Sequence, residues 1–208
     1  MAKLRTFYIV LFLLIISNYV NAQEFNFKYT KGLSIEIEKQ HFKKAMESFN
    51  NIDSTTIKVI YKPLKSTGAA RPTFFSFFKK PSKRIYKIYL NTKCKPNNLI
   101  CYTNLSDSSK YGVIGHELSH IIDYNTMSST QLIGFGFKYI FSKKFKHNTE
   151  HKIDSIAIMH GFGEQLYQFT NYIFSSENIT ERYKFKKEIY YMSPDSILKL
   201  HNKHFTGN

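Results

Sequence analysis

Five residues in the middle of the chain, His116-Glu117-Leu118-Ser119-His120, have the types and spacing to bind a divalent metal. On a helix, positions i and i+4 lie on one face about a turn apart. Both imidazoles can then reach one Zn²⁺ at ~2.0–2.1 Å. Glu117 falls beside the open coordination position, where a carboxylate can take the proton of a metal-activated water. Val113, Ile114, Leu118, Ile121 and Ile122 are apolar, and Gly115 leaves room for close packing. The pattern predicts a buried helix over about residues 111–124.

Two histidines need a third protein ligand. The metzincin continuation would have Gly at 123 and His at 126, but Asp123 and Thr126 stand there. Downstream, Glu150 and Asp154 lie at i and i+4 of a second predicted helix. Glu150 can ligate the ion, while Asp154 accepts the free ring N–H of a ligating histidine, fixing the ring and raising its basicity. Asp154 could exchange roles with Glu150. His147, His151 and His160 are the histidine rivals: His147 precedes the predicted helix in a solvated basic stretch, His151 points about 100° from Glu150, and His160 about 80°. Tyr124 is a further candidate, as a donor to a developing oxyanion.

HELSH followed by a helix with ExxxD, and by Ala157 three residues on, resembles the gluzincin class of zinc metallopeptidases. The nearest pattern is that of the CAAX prenyl proteases and their soluble periplasmic relatives, whose second helix reads ExxAD. Ile153 stands here where that pattern has Ala. The resemblance covers about 50 residues. It implies a zincin-like α+β domain, a small sheet packed on the active-site helix with a helical C-terminal half. It also implies one Zn²⁺ held by His116, His120 and Glu150, with Glu117 as general base in peptide-bond hydrolysis. The competing expectation is a non-catalytic, zinc-containing exported binding domain.

The elements that must position these residues are legible in outline. Leu33–Glu38 alternates like a short strand, and Phe42, Ala45, Met46 and Phe49 follow at helical spacing over about residues 39–50. TIKVIY (56–61) and RIYKIYL (84–90) read as strands, the second as the edge that would pair with an extended substrate. Pro63, Gly68, Pro72 and Pro81 make residues 62–82 an irregular loop whose FFSFF segment tucks Phe74, Phe75, Phe77 and Phe78 into a core or cleft wall. Helices are expected over 128–144, 148–160 (stopped by Gly161), 163–174, 180–191, and from Ser193-Pro194 to Leu200. The segment 131–146 is apolar, then basic, and either packs or forms a lid or membrane contact. Strands first and helices after give an α+β class.

Residues 1–22 have secretory-signal grammar: Lys3 and Arg5, the apolar run 7–16, then Val20-Asn21-Ala22. Cleavage after Ala22 would leave residues 23–208 as one zincin-like domain, periplasmic or secreted. No later segment is long enough to span a bilayer. Cys94 and Cys101, an even pair in an exported chain, are expected to form a disulfide around KPNNLI. The chain carries 30 Lys and Arg against 15 Asp and Glu, a formal net charge of +15. That excess favours an anionic surface besides a peptide or protein substrate. No nucleic-acid-binding module is found, so that partner is not expected. The absence of repeats and heptads excludes solenoids and coiled coils.

Overall fold

A 19-residue helix, Asp107–Asn125, runs through the middle of the molecule and is buried on nearly every side. The computed structural model describes residues 35–49, 52, 55–94 and 100–205; the expected signal segment 1–22, with its cleavage site, and most of the turn after Cys94 lie outside them. In chain order the elements are α1 (Ile35–Glu47), β1 (Thr56–Lys62), β2 (Gly68–Pro72), β3 (Ile85–Asn91), α2 (Asp107–Asn125), α3 (Ser129–Phe141), α4 (Lys143–Ala157), α5 (Gly163–Ser175), α6 (Glu181–Tyr190) and α7 (Pro194–Phe205). The class is α+β: three strands, then mostly helices.

The strand order is β1-β3-β2. β1 runs parallel to β3, with Thr56 opposite Ile85, and β2 runs antiparallel to it, with Gly68 opposite Leu90. RIYKIYL is therefore the central strand. Its alternate residues Tyr86, Ile88 and Leu90 are fully buried, and both of its edges are used, so it is not the free edge expected from sequence. The edge strands are β1 and β2, and the one that lines the cleft is β2, inside the stretch expected to be irregular. GAARP has none of the β-branched residues that announce a strand; the ladder of β3 supplies its order.

α2 packs against α4 and α5 on the helical side and against β2 and α1 on the other. Ser106 caps it by accepting the Ser109 N–H. The expected packing at Gly115 is realised by the Phe162 ring, which a Cβ there would strike at 2.4 Å. At the other end, the fully buried Arg84 donates from Nη1 to the Tyr124 carbonyl at 2.8 Å and from Nε to the Lys79 carbonyl at 3.0 Å. These bonds tie the start of β3 to the end of the central helix and occupy Nε and Nη1 of the buried guanidinium.

Other boundaries shift for identifiable reasons. Residues 35–38 are helical, not extended, and residues 33–34 lie outside the described ones: the helix that buries Phe42 and Ala45 includes the alternating IEIE and ends at Glu47, two residues before the buried Phe49. The single helix expected over 128–144 ends at Phe141, and Ser142 caps α4 by accepting the Phe145 N–H. α4 therefore begins before His147, not after it. It passes through a π-turn at 158–162, where Gly161 takes φ +89° and turns the chain into α5. Ser76 and, in part, Phe77 face inwards, but Phe74, Phe75 and Phe78 are exposed, contrary to the expected tucking of FFSFF. Cys94 and Cys101 form the expected disulfide, with Cα atoms 4.9 Å apart. No helix among the described residues is long and apolar enough to cross a membrane.

Candidate metal centre

α2 and α4 lie side by side and bring His116, His120 and Glu150 together. One ligand atom from each lies within 4.8 Å of the other two, and all three residues are buried. Glu150 Oε2 is 3.3 Å from His116 Nε2 and 3.6 Å from His120 Nε2. A tetrahedral ion with bonds of ~2.0–2.1 Å separates its ligand atoms by about 3.3–3.4 Å, close to these two spacings. Glu150 Oε2 is buried and makes no hydrogen bond. A buried carboxylate oxygen left this way, facing two imidazole nitrogens, forms a group that could hold a metal ion.

His116 and Glu150 are held from behind, whereas His120 Nδ1 is buried without a hydrogen bond. His116 Nδ1–H donates to Asp154 Oδ1 at 2.8 Å, which turns Nε2 towards Glu150. Asp154 Oδ2 accepts the Met192 N–H at 3.1 Å, anchoring the segment after α6 to the site. Glu150 Oε1 accepts from the Tyr139 hydroxyl, and this directs Oε2 towards the histidines. Lys152 pairs with the buried Asp123, a second link between α2 and α4. Nothing in the sequence pattern singles out Tyr139, Lys152 or Met192, because their roles depend on how α3, α4 and the α6–α7 linker meet.

Glu117 is adjacent but separate. Its Oε2 is buried without a hydrogen bond, and its carboxylate lies against β2, where a Cβ on Gly68 would come within 2.6 Å of Oε1. Gly68 reads from sequence as a chain breaker; its physical use here is to let the strand edge approach the carboxylate. A cleft of about 430 Å³ opens over these groups, walled by β2, Phe77 and the inner face of α3. A small side pocket of about 40 Å³ beside His116 and Glu117 is lined by Val113, Leu166, Phe169 and Ile173.

The electrostatics are those of crowded carboxylates. Burial lowers the His116 imidazole, but the bonded Asp154, the facing Glu150 and the surrounding negative charge outweigh that and carry it up to about 10. Burial raises the Glu150 carboxyl, yet the facing His116 and His120 rings hold it well below the usual carboxylate range. Burial raises Glu117, against the pull of the two histidines. Tyr139 and Tyr191 are both pushed up by burial and then by the Glu150 charge. Such a centre holds positive charge strongly, as a proton or as a cation.

The remaining sequence candidates stand apart. His147 Nδ1–H donates to the Ile189 carbonyl at 2.7 Å; it is half-buried within α4, not solvated ahead of it. His151 stacks on His147 at 4.1 Å. His160 donates to the Ser48 carbonyl at 2.8 Å. Tyr124 stacks on His120 at 5.8 Å and donates to the Ala70 carbonyl at 3.5 Å, towards β2. Compared with known proteins, the chain matches no family model, no curated protein and no solved structure.

Proposed function

We propose that the chain is an exported zinc metallopeptidase in which His116, His120 and Glu150 hold one ion and Glu117 is the general base. The observation that carries this reading is the convergence of three buried ligands with a fourth buried carboxylate, Glu117, left over beside the cleft. A purely structural site has no use for that extra carboxylate. Two histidines and a glutamate suit zinc in a catalytic, open-position site.

When bound, zinc would supply Lewis acidity, polarising a peptide carbonyl and acidifying water. The protein's own groups divide the remaining work. Asp154 keeps the His116 proton on Nδ1, so that Nε2 stays free to ligate. Tyr139 holds Glu150 in its ligating orientation. Glu117 takes the proton of the attacking water and returns it to the leaving amine; burial raises its carboxyl towards the range such a shuttle needs. β2, an edge strand, lines the cleft, so an extended peptide would add to it through main-chain hydrogen bonds as far as Pro72, which has no N–H to give. The disulfide and the N-terminal apolar run support export.

The test is metal content, by elemental analysis, together with digestion of an unstructured protein such as casein. Wild type should carry one zinc per chain and hydrolyse. Glu117→Gln should keep zinc and lose activity by orders of magnitude. Stoichiometric zinc without hydrolysis in wild type would leave the non-catalytic binding domain, and equal activity in the variant would remove Glu117 from the mechanism.

A further inference from the structure

The rim of the cleft is unlike its interior. Two segments build it, residues 63–83, which include β2 and the short 3₁₀ turn Phe74–Phe78, and residues 126–149, which include α3. They touch one another: Ser129 Oγ–H donates to the Lys79 carbonyl at 3.2 Å, and Phe77 and Ile140 wall the same cleft. Together these segments hold nine lysines and arginines and no aspartate or glutamate.

Both also expose large apolar side chains. Phe78 is 66% exposed on the turn, and Phe137, Ile140 and Phe141 are 63%, 74% and 79% exposed on α3. Positions 137, 140 and 141 form one stripe, offset from the stripe of Leu132, Phe135 and Tyr139 that packs inwards. Lys79 and Lys80 directly follow Phe78, and Lys143 and Lys144 open α4, with only Ser142 between them and α3; all four are exposed. Scattered exposed hydrophobes are ordinary, but contiguous ones ringed by a single sign of charge mark a contact surface.

We propose that this rim docks the protein on a lipid bilayer carrying anionic headgroups, with Phe78, Phe137, Ile140 and Phe141 in the headgroup–acyl boundary and the lysines on the phosphates. Charge complementarity selects the anion: the rim offers only cations. The apolar stripe selects the bilayer over a soluble polyanion, because a polyanion would neutralise the lysines yet leave the phenylalanines in water. Docking this way needs both features, each too weak by itself. It would open the cleft directly at the membrane surface, and it does not depend on metal or on hydrolysis.

The chain contains no tryptophan, so one introduced indole reports a single place. Phe141→Trp, made in the full chain, is compared with Phe205→Trp at the exposed end of α7; both keep the N-terminal apolar run, so its insertion is common to the two. Vesicles of phosphatidylcholine with roughly a third phosphatidylglycerol should blue-shift the Trp at 141, and brominated acyl chains should remove roughly half of its emission. The Trp at 205 should be unchanged. Neutral phosphatidylcholine vesicles should leave both unchanged. Reversing Lys79, Lys80, Lys143 and Lys144 to Glu in the Phe141→Trp protein should abolish the quenching. Equal quenching at 141 and 205, equal quenching by neutral vesicles, or persistence after charge reversal would overturn the proposal. So would an equal blue shift with a soluble sulfated polysaccharide, which would assign the rim to a polyanion.

Discussion

At the floor of the cleft Glu117 and Glu150 are 5% and 1% exposed, Glu150 facing both imidazoles, and Asp154, 2% exposed, is bonded to His116 behind them. At its mouth, Phe137, Ile140 and Phe141 are 63–79% exposed among lysines. One region buries the groups that water would solvate best, and the other exposes groups that a core would bury. Neither arrangement is stable by its own contacts alone. Buried anions require compensating positive charge, here the raised His116 proton or a cation. The exposed stripe buries little apolar surface in the fold beyond the stacking of Phe137 on Phe141. The two regions meet on α3, whose inner face presents Tyr139 to Glu150 and whose outer face carries Phe137 and Phe141.

If the floor is built around an ion, the largest effect comes from removing a ligand. Glu150→Ala should weaken zinc affinity by more than any other single change outside the two histidines, read by competition with a chromophoric chelator. His151→Ala, one residue away but stacked on His147, should leave the affinity unchanged. A reversed order would dismiss Glu150 as a ligand. Asp154→Asn comes next: it keeps the shape and loses the charge behind His116 Nδ1, so affinity should fall by about 10–100-fold. An unchanged affinity would reduce the His116–Asp154 bond at 2.8 Å to a packing contact.

The third effect is on pH dependence. A histidine whose pKa in the folded state is raised above its ordinary value stabilises the fold fully below about 6.5 and loses that contribution as pH climbs through its folded value. His116 is carried up to about 10 by Asp154 and Glu150 against the opposing effect of burial. Metal-free protein should therefore lose melting temperature between about pH 7 and 10. In zinc-loaded protein the ring nitrogen facing Glu150 has no proton to lose, and the curve should be flatter over that window. Metal affinity itself should rise with pH across the same range, because the ion displaces the His116 proton. Parallel melting curves with and without zinc would separate the raised histidine from the metal position.

Much of the floor was legible in the sequence, and little of the mouth. His116, Glu117 and His120 declare themselves because one helix fixes their relative geometry, and local spacing is what a sequence carries. Glu150 and Asp154 were readable as a pair for the same reason, although their distance from His116 depended on how α2 and α4 pack. Tyr139 was not readable, since its bond to Glu150 joins different helices. Strand character does not tell an edge from a centre: RIYKIYL has it as the central strand, TIKVIY has it as an edge, and GAARP, the edge that lines the cleft, lacks it because it borrows its order from β3. The FFSFF segment misled in the same direction, because hydrophobicity alone cannot tell an inward side chain from one left outside.

The smallest predicted effect separates the two regions most cleanly. Phe141→Ser and Phe137→Ser remove side chains that are 79% and 63% exposed. A core phenylalanine replaced by a small residue costs about 3–5 kcal/mol through lost burial and the cavity left behind. These two have little burial to lose and leave no enclosed cavity. Their mutual stacking, with ring centres 6.4 Å apart, is the one packing contact between them. Each substitution should therefore change unfolding free energy by no more than about 0.5 kcal/mol, measured by urea denaturation. Zinc affinity should be unchanged as well, since Tyr139 lies on the opposite side of α3. A larger destabilisation would mean that the stripe packs against part of this chain in solution; the outer face of α3 would then belong to the core, and the contrast between floor and mouth would fail.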